Sequence, residues 1–221
     1  MGNLNLKLTG IVAAAALLLV PVANAQISLL LDDGNGNTAS MTDVGNTGMV
    51  NLNTALGDWT ANVTTGIGAP LLGSSYMDEF DLNSVNVSGG TGTMTVMMTQ
   101  TDLSKVDANW WTAVGGTTDG NITFESYVDD SNNAFGLTTL VTSDMFNTGA
   151  FSSEDNGSLS GFGLTGLYSW TIVATIVHGD GNNVSSFDYN VKIPEPSSLA
   201  LLGLGLLGAG FAARRKANKA A

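Results

Sequence analysis

The chain has 221 residues, no cysteine, and 19 acidic against 7 basic side chains, for a formal net charge of −12. Without cysteine there are no disulfide staples and no thiol chemistry, so stability has to come from a packed core. The charges are segregated: between residues 26 and 193 two lysines stand against eighteen carboxylates, a net charge of −16, and such a surface repels nucleic acid and anionic lipid.

Residues 1–25 read as a secretory leader. Lys7 supplies the positive start, Ile11 to Val20 the apolar run, and Pro21 breaks it. Ala23-Asn24-Ala25 then places small residues at the two positions that a signal peptidase reads. A signal helix is expected here, with the mature chain beginning at Gln26. An uncleaved anchor is the alternative, for which the apolar run is short.

Residues 26–192 predict one outer domain, mainly β. Glycine is abundant, at 28 residues in the chain, and no stretch keeps a helical period for long. Ile27 to Leu31 is a first strand. Residues 33–58 show weak patterning and read as a long loop. In Thr93 to Thr99, Met94, Val96 and Met98 alternate with Thr93, Thr95 and Thr99, with Met97 out of phase. Ile122, Phe124 and Val128 alternate with Asn121, Thr123 and Glu125. Tyr168 to Ile176 is the strongest strand. Val184 to Ile193 reads as its hairpin partner across the Gly179-Asp180-Gly181-Asn182-Asn183 loop. Strands separated by Gly, Asn and Asp turns, with no helices between them, predict an antiparallel sandwich or jelly roll.

Candidate sites in this domain are few. His178 is the chain's single histidine, and no G-x-S-x-G elbow accompanies it; it reads as a polar residue at a strand end. Asp78, Glu79 and Asp81 put carboxylates close together, as a glycosidase needs, but among eighteen acids such spacing arises without selection. Catalysis is therefore not expected. Asp33, Asn35 and Asn37 set oxygens at alternate positions, like the start of a calcium loop. Thr38 replaces its turn glycine and Val44 its closing glutamate. Asp129 to Asn133 and Asp180 to Asn183 are similar, and such clusters also serve plain turns, because Asn and Asp tolerate left-handed backbone. No cofactor is expected beyond this weak calcium candidate. Trp110 and Trp111 are adjacent, so in a strand one ring faces the core and the other the outside. The outward ring is a candidate sugar platform. Five N-x-S/T sequons, at Asn62, Asn86, Asn121, Asn156 and Asn183, match what chance gives in a chain this rich in Asn, Ser and Thr.

The tail, residues 193–221, has three parts. Pro194-Glu195-Pro196 is stiff and lacks two backbone donors, so it is expected to stay out of helix interiors and sheet ladders and to be extended and accessible. Leu199 to Ala213 is a 15-residue uncharged run, about 22 Å long as a helix at roughly 1.5 Å per residue. That is marginal for a core about 30 Å thick, which usually takes about 20 residues. A transmembrane helix is expected over about 197–213, suited to a temporary hold. Arg214, Arg215 and Lys216 follow and keep their side cytoplasmic. Gly203 to Gly208 spells G-x-G-x-x-G, but a Pro-rich segment precedes it where a dinucleotide site needs a strand.

These three parts together resemble the PEP-CTERM sorting signal, a segment also classed as the C-terminal domain of ice-binding proteins. The resemblance covers about the last 28 residues. It implies that an exosortase-type, membrane-bound processing enzyme reads Pro194, Glu195 and Pro196, that the inner membrane holds the chain transiently, and that the protein ends at the cell surface or is secreted. It further implies a Gram-negative bacterium that makes exopolysaccharide and biofilm, with exopolysaccharide as the surrounding partner. The order of the Gly/Thr-rich strand, a Gly115-Gly116-Thr117-Thr118 turn, a strand, the Asp129 turn and the final hairpin is loosely similar to outer domains of such proteins and implies no activity. The ice-binding label draws attention to the Thr93, Thr95, Thr99 row, although Thr is simply a good strand residue. A plain membrane anchor is the other reading of the tail.

Overall fold

The computed structural model describes residues 25–74 and 76–195, without the side chains of Val63 and Thr64. The expected signal helix, the transmembrane run, Pro196 and Arg214 to Lys216 lie outside the described residues. No helix among the described residues is long and apolar enough to cross a membrane.

The fold is two six-stranded antiparallel sheets. In chain order the strands are β1 (Ile27–Asp32), β2 (Thr38–Thr42), β3 (Met49–Leu56), β4 (Trp59–Ile67), β5 (Met77–Gly89), β6 (Gly92–Leu103), β7 (Asn109–Thr118), β8 (Asn121–Asp129), β9 (Thr139–Phe146) and β10 (Gly149–Ser158). A 3-10 turn at Leu159–Gly161, β11 (Tyr168–His178) and β12 (Val184–Pro194) complete it. One sheet runs β2-β1-β6-β11-β8-β9 and the other β10-β7-β12-β5-β4-β3. The period-two alternation builds the layer between them. Met94, Val96 and Met98 of β6, Ile122, Phe124 and Val128 of β8, and Ile172, Ala174 and Ile176 of β11 are wholly buried. Opposite them lie Phe80, Leu82, Val85 and Val87 of β5 and Val191 and Ile193 of β12. Each such side chain contributes about 1.5–3 kcal/mol on burial, which replaces the missing disulfides. Aromatic contacts close the layer: Phe124 meets Phe187 edge-on at 4.9 Å, and Phe146 of β9 stacks on Phe151 of β10 at 4.6 Å, joining one edge of each sheet.

Three expectations from the sequence are corrected. First, β11 and β12 are not a hairpin. β11 pairs with β6 and β8, and β12 with β5 and β7. Residues 179–183 therefore cross between sheets; both strands bury a full face, so they meet through the core rather than through a ladder. Second, residues 33–58 are not one loop, since β2 and β3 lie there. β2 is an edge strand with no buried residue, so it carries no alternation to read. Third, Gly115 to Thr118 is the end of β7, not a turn. A Cβ on Gly116 would meet the Ser186 carbonyl oxygen and come within 2.8 Å of Phe187 Cα. Glycine there lets β12 approach.

Candidate functional site

The strand β12 delivers the chain to the Pro-Glu-Pro motif. It is an interior strand, bonded to β7 on one side and β5 on the other. Against the expectation that both prolines stay out of a ladder, Pro194 is its last residue, in register with Met77, since a strand end tolerates the missing N–H. The Glu195 N–H donates to the Tyr76 carbonyl at 2.7 Å. The first two residues of the motif are thus held against the start of β5, with no linker between domain and motif.

Beside this junction lies a cavity of about 400 Å³, lined by Ala25, Leu72, Met77, Leu103, Asp78, Gln100 and Lys105 among others. Gln100 is wholly buried; its Oε1 accepts from the Ala69 N–H at 3.4 Å, while Nε2 has no partner among the described residues. Lys105 Nζ donates to Asp78 Oδ1 at 2.5 Å, and Asp78 Oδ2 is likewise unpartnered. The sequence gives no sign of this cavity, because its residues come from four separate segments.

Trp110 and Trp111 divide as alternation requires. Trp110 is 7% exposed and packs edge-on to Trp170 at 6.1 Å. It belongs to the core, so the sugar-platform reading rests on Trp111 alone. Trp111 is half-buried on the outer face of its sheet, with Lys192 Nζ 5.2 Å from its ring centroid. Lys192 also reaches Glu79 at 3.4 Å, and Asn190 Nδ2 donates to Glu79 at 3.3 Å. Asp81 sits next to Asn190 in register. Burial pushes its carboxyl above the ordinary range; the Asn83 amide opposes this, and the charge of Asp188 adds to it. The outward residues of β7 after Trp111 are Ala113 and Gly115, so the indole stands beside a low strip flanked by amides and carboxylates.

Two of the three oxygen-rich turns are clamps built on an inward aspartate, while at the third Asp180 is exposed and Asn183 Nδ2 donates to the Gly179 carbonyl. Asp33 Oδ1 accepts from the N–H groups of Asn35 and Asn37 at 2.9 and 3.0 Å, and Oδ2 from Asn37 Nδ2 at 2.7 Å. Asp129 repeats the pattern with the N–H groups of Ser131 and Asn133, Asn133 Nδ2 and the Thr138 hydroxyl. In this geometry the carboxylate of Asp33 is filled by N–H donors, and the Asn37 amide presents nitrogen rather than oxygen to it. No cluster of three or more His, Cys, Asp or Glu side chains among the described residues has metal-site geometry. The Asn37 amide holds the Asp33 carboxyl below its usual range. At Asp129 burial raises the carboxyl, but the combined donors outweigh it and the net shift is downward.

His178 is 2% exposed and stacks on Trp59 at 4.9 Å. Its Nδ1 lies 2.9 Å from the Gly89 carbonyl, which only accepts, so Nδ1 carries the proton and Nε2 accepts from the Ser185 hydroxyl at 2.9 Å. Ser185 is wholly buried. The pair has the bonding of a Ser-His dyad but no surface from which a substrate reaches it. Thr99 of the threonine row is wholly buried and bonds Thr171 at 3.0 Å.

Similarity to known proteins is confined to the tail and to low-level likeness of shape. No curated protein matches the chain. Among solved structures, the cleaved adhesin domain of Lys-gingipain from Porphyromonas gingivalis W83 aligns at TM-score 0.34 and 12% identity, over 67% of this chain and 98% of that one. The carbohydrate-binding module TmCBM27, described in specific mannan recognition, aligns at TM-score 0.30 and 9% identity, over 67% and 97%. A family 35 carbohydrate-binding module from Clostridium thermocellum aligns at TM-score 0.26 and 14% identity, over 64% and 96%. Such scores are too low for anything about ligands to pass to this chain. Residues 192–216 match the family described as the PEP-CTERM protein-sorting motif. The chain carries that motif, with its first residues set into the end of β12, and is by that mark an exported protein.

Proposed function

We propose that this is a non-enzymatic surface or extracellular-matrix protein, processed at its sorting motif by an exosortase-type enzyme and working as a structural or adhesive unit among exopolysaccharide. The observation that carries the reading is the junction: an interior strand enters the motif without a linker, so the whole sandwich is cargo for the signal. The inner membrane holds the chain only until processing. The sealed position of His178 and Ser185 supports the absence of hydrolytic work by that pair. The intact mass of the protein from its own host tests the reading. The expected species begins at Gln26 and ends near Pro194 to Pro196, with or without an added group. A species running through to Ala221 makes the tail a plain anchor and overturns the exosortase step.

A second reading is a carbohydrate-binding module or a weak glycan hydrolase. It is favoured by Trp111, half-exposed beside Lys192, Glu79, Asn190 and Asp81 on one sheet face. Losing an aromatic platform costs about 1–2 kcal/mol, by analogy with base stacking and cation–π contacts. On this reading Trp111→Ala weakens glycan-array binding roughly tenfold, and Trp110→Ala acts only by destabilising the core. Turnover lost in Asp81→Asn marks the hydrolase.

A further inference from the structure

We infer that the end of the sandwich carrying the sorting motif is a membrane-contacting face, covered by the interfacial zone of a lipid bilayer while the apolar tail is inserted. The inference rests on the reading of the tail given above. The face itself is a property of the folded domain.

Both ends of the domain lie at this pole, where β1 begins and β12 finishes. The connecting segments there are residues 43–48, 68–76, 104–108, 130–138 and 159–167. They carry the domain's most exposed large apolar side chains outside its strands: Val44 is 87% exposed, Tyr76 74% and Leu71 60%, with Leu137 and Leu167 nearly half exposed. Segment 68–76, Gly-Ala-Pro-Leu-Leu-Gly-Ser-Ser-Tyr, has no charged residue in a domain of net charge −16. The opposite pole is made of short turns at 33–37, 57–58, 90–91, 119–120, 147–148 and 179–183. These contain no large apolar residue and expose Asp58, Asp119 and Asp180. Exposed Met145, Val177 and Val184 near that end sit within strands.

Scattered exposed apolar residues are ordinary. Their confinement to the loops of one pole is what needs a cause, and the chain supplies one. Glu195 is fixed to Tyr76 through its N–H, and the uncharged run starts at Leu199. Four residues reach at most about 14 Å at roughly 3.5 Å each. Whenever the run is inserted, the Tyr76 backbone is within about that distance of the hydrocarbon boundary, and Leu71 lies on the same connecting segment. Tyr has the amphipathic ring that settles at that depth. The charges at this pole are mostly occupied. Asp43 is buried and accepts from the Gly48 N–H at 2.6 Å, Asp78 is paired with Lys105, Asp102 is bonded by Asn132 and Asp130 by Thr165. Asp107 is exposed and Glu195 adds a second carboxylate beside Tyr76, so the net charge there disfavours anionic headgroups but leaves zwitterionic ones acceptable.

The absence of cysteine makes the test direct. Single cysteines replace Val44, Tyr76 and Leu167 at this pole and Asp180 at the other, each nitroxide-labelled in the full chain reconstituted into phosphatidylcholine vesicles. Accessibility to oxygen and to a water-soluble nickel chelate is read by power-saturation EPR. The expected result is shielding from nickel, with raised oxygen contact, at 44, 76 and 167 but not at 180. Since labelling position 76 removes the tyrosine, a further chain carries the label at Ser74 with Leu71 and Tyr76 intact. Its shielding is expected to fall when both are changed to Ser. Equal exposure of all labels, in chains that stay with the vesicles after a salt wash, overturns the face and leaves the tail reading standing. Chains that wash off overturn the tail reading and this face with it. Shielding that persists in detergent micelles and grows with protein concentration assigns the face to a second copy, and also overturns the inference.

Discussion

The aspartates of this domain fall into two physical groups with opposite pH behaviour. Asp129 is buried at one end of β8, with its carboxylate filled by N–H and hydroxyl donors from residues 131, 133 and 138. Its carboxyl, like those of Asp33 and Asp43, titrates below the ordinary 3.8. The stability these groups contribute is therefore present above that value and lost as pH falls through the depressed folded values. Asp129→Ala leaves buried donors without an acceptor and is expected to cost about 3 kcal/mol at pH 7, measured by urea unfolding. It also flattens the acid limb of the stability curve below pH ~4. Asp155 is the reverse case. Burial comes first, then the charge of Asp144 and a hydrogen bond with it, and together they raise the Asp155 carboxyl. A raised carboxyl stabilises the fold below its ordinary value and loses that contribution as pH climbs through the folded one. Asp155→Asn should thus melt higher than the native chain at pH 7 and show little difference at pH 3, in parallel thermal melts. None of this is legible in the sequence. Asp33, Asn35 and Asn37 have the same spacing whether oxygens converge on a cation or N–H groups converge on a carboxylate; only the direction of the Asn37 amide separates the two.

Elements were legible where a strand has one wet face and one dry one. β6 and β8 follow their alternation, and the Trp110-Trp111 pair splits between core and surface as period two demands. β2 and β10 were not, because edge strands with polar sequences such as Ser152-Ser153-Glu154-Asp155 offer no alternation. Pairing was the deeper failure. Alternation says which face a residue takes, not which strand lies alongside, and a five-residue connection suits a hairpin or a crossover equally. β7 and β12 show what does set the pairing: the close approach at Gly116, where β12 backbone occupies the space a Cβ needs. Gly116→Ala is expected to destabilise by about 3 kcal/mol through overpacking of that ladder. Gly161→Ala, with no heavy atom within 4 Å of its Cβ position, should stay within about 0.5 kcal/mol. Chemical denaturation of the two variants side by side separates close approach from mere loss of glycine.

At the scale of the whole molecule, the linear parts were readable and the assembled ones were not. The sorting motif is contiguous, so Pro194, Glu195 and the basic residues after the apolar run declare themselves in order. The cavity beside them, and the gathering of Val44, Leu71, Tyr76 and Leu167 at one pole, exist only after twelve strands have been folded into two sheets. The way β12 leaves the domain has a mechanical consequence. A protein held by its C-terminus against flowing water feels drag along the axis of that strand. β12 is bonded on both sides, to β5 and to β7, over most of its eleven residues. Antiparallel ladder bonds lie across the strand direction, so such a pull strains both rows at once instead of unzipping one bond after another. An edge strand such as β2 or β9 has a ladder on one side only to carry the same force. A chain retained at the surface by its C-terminus would thus be held on a strand with a ladder on both sides.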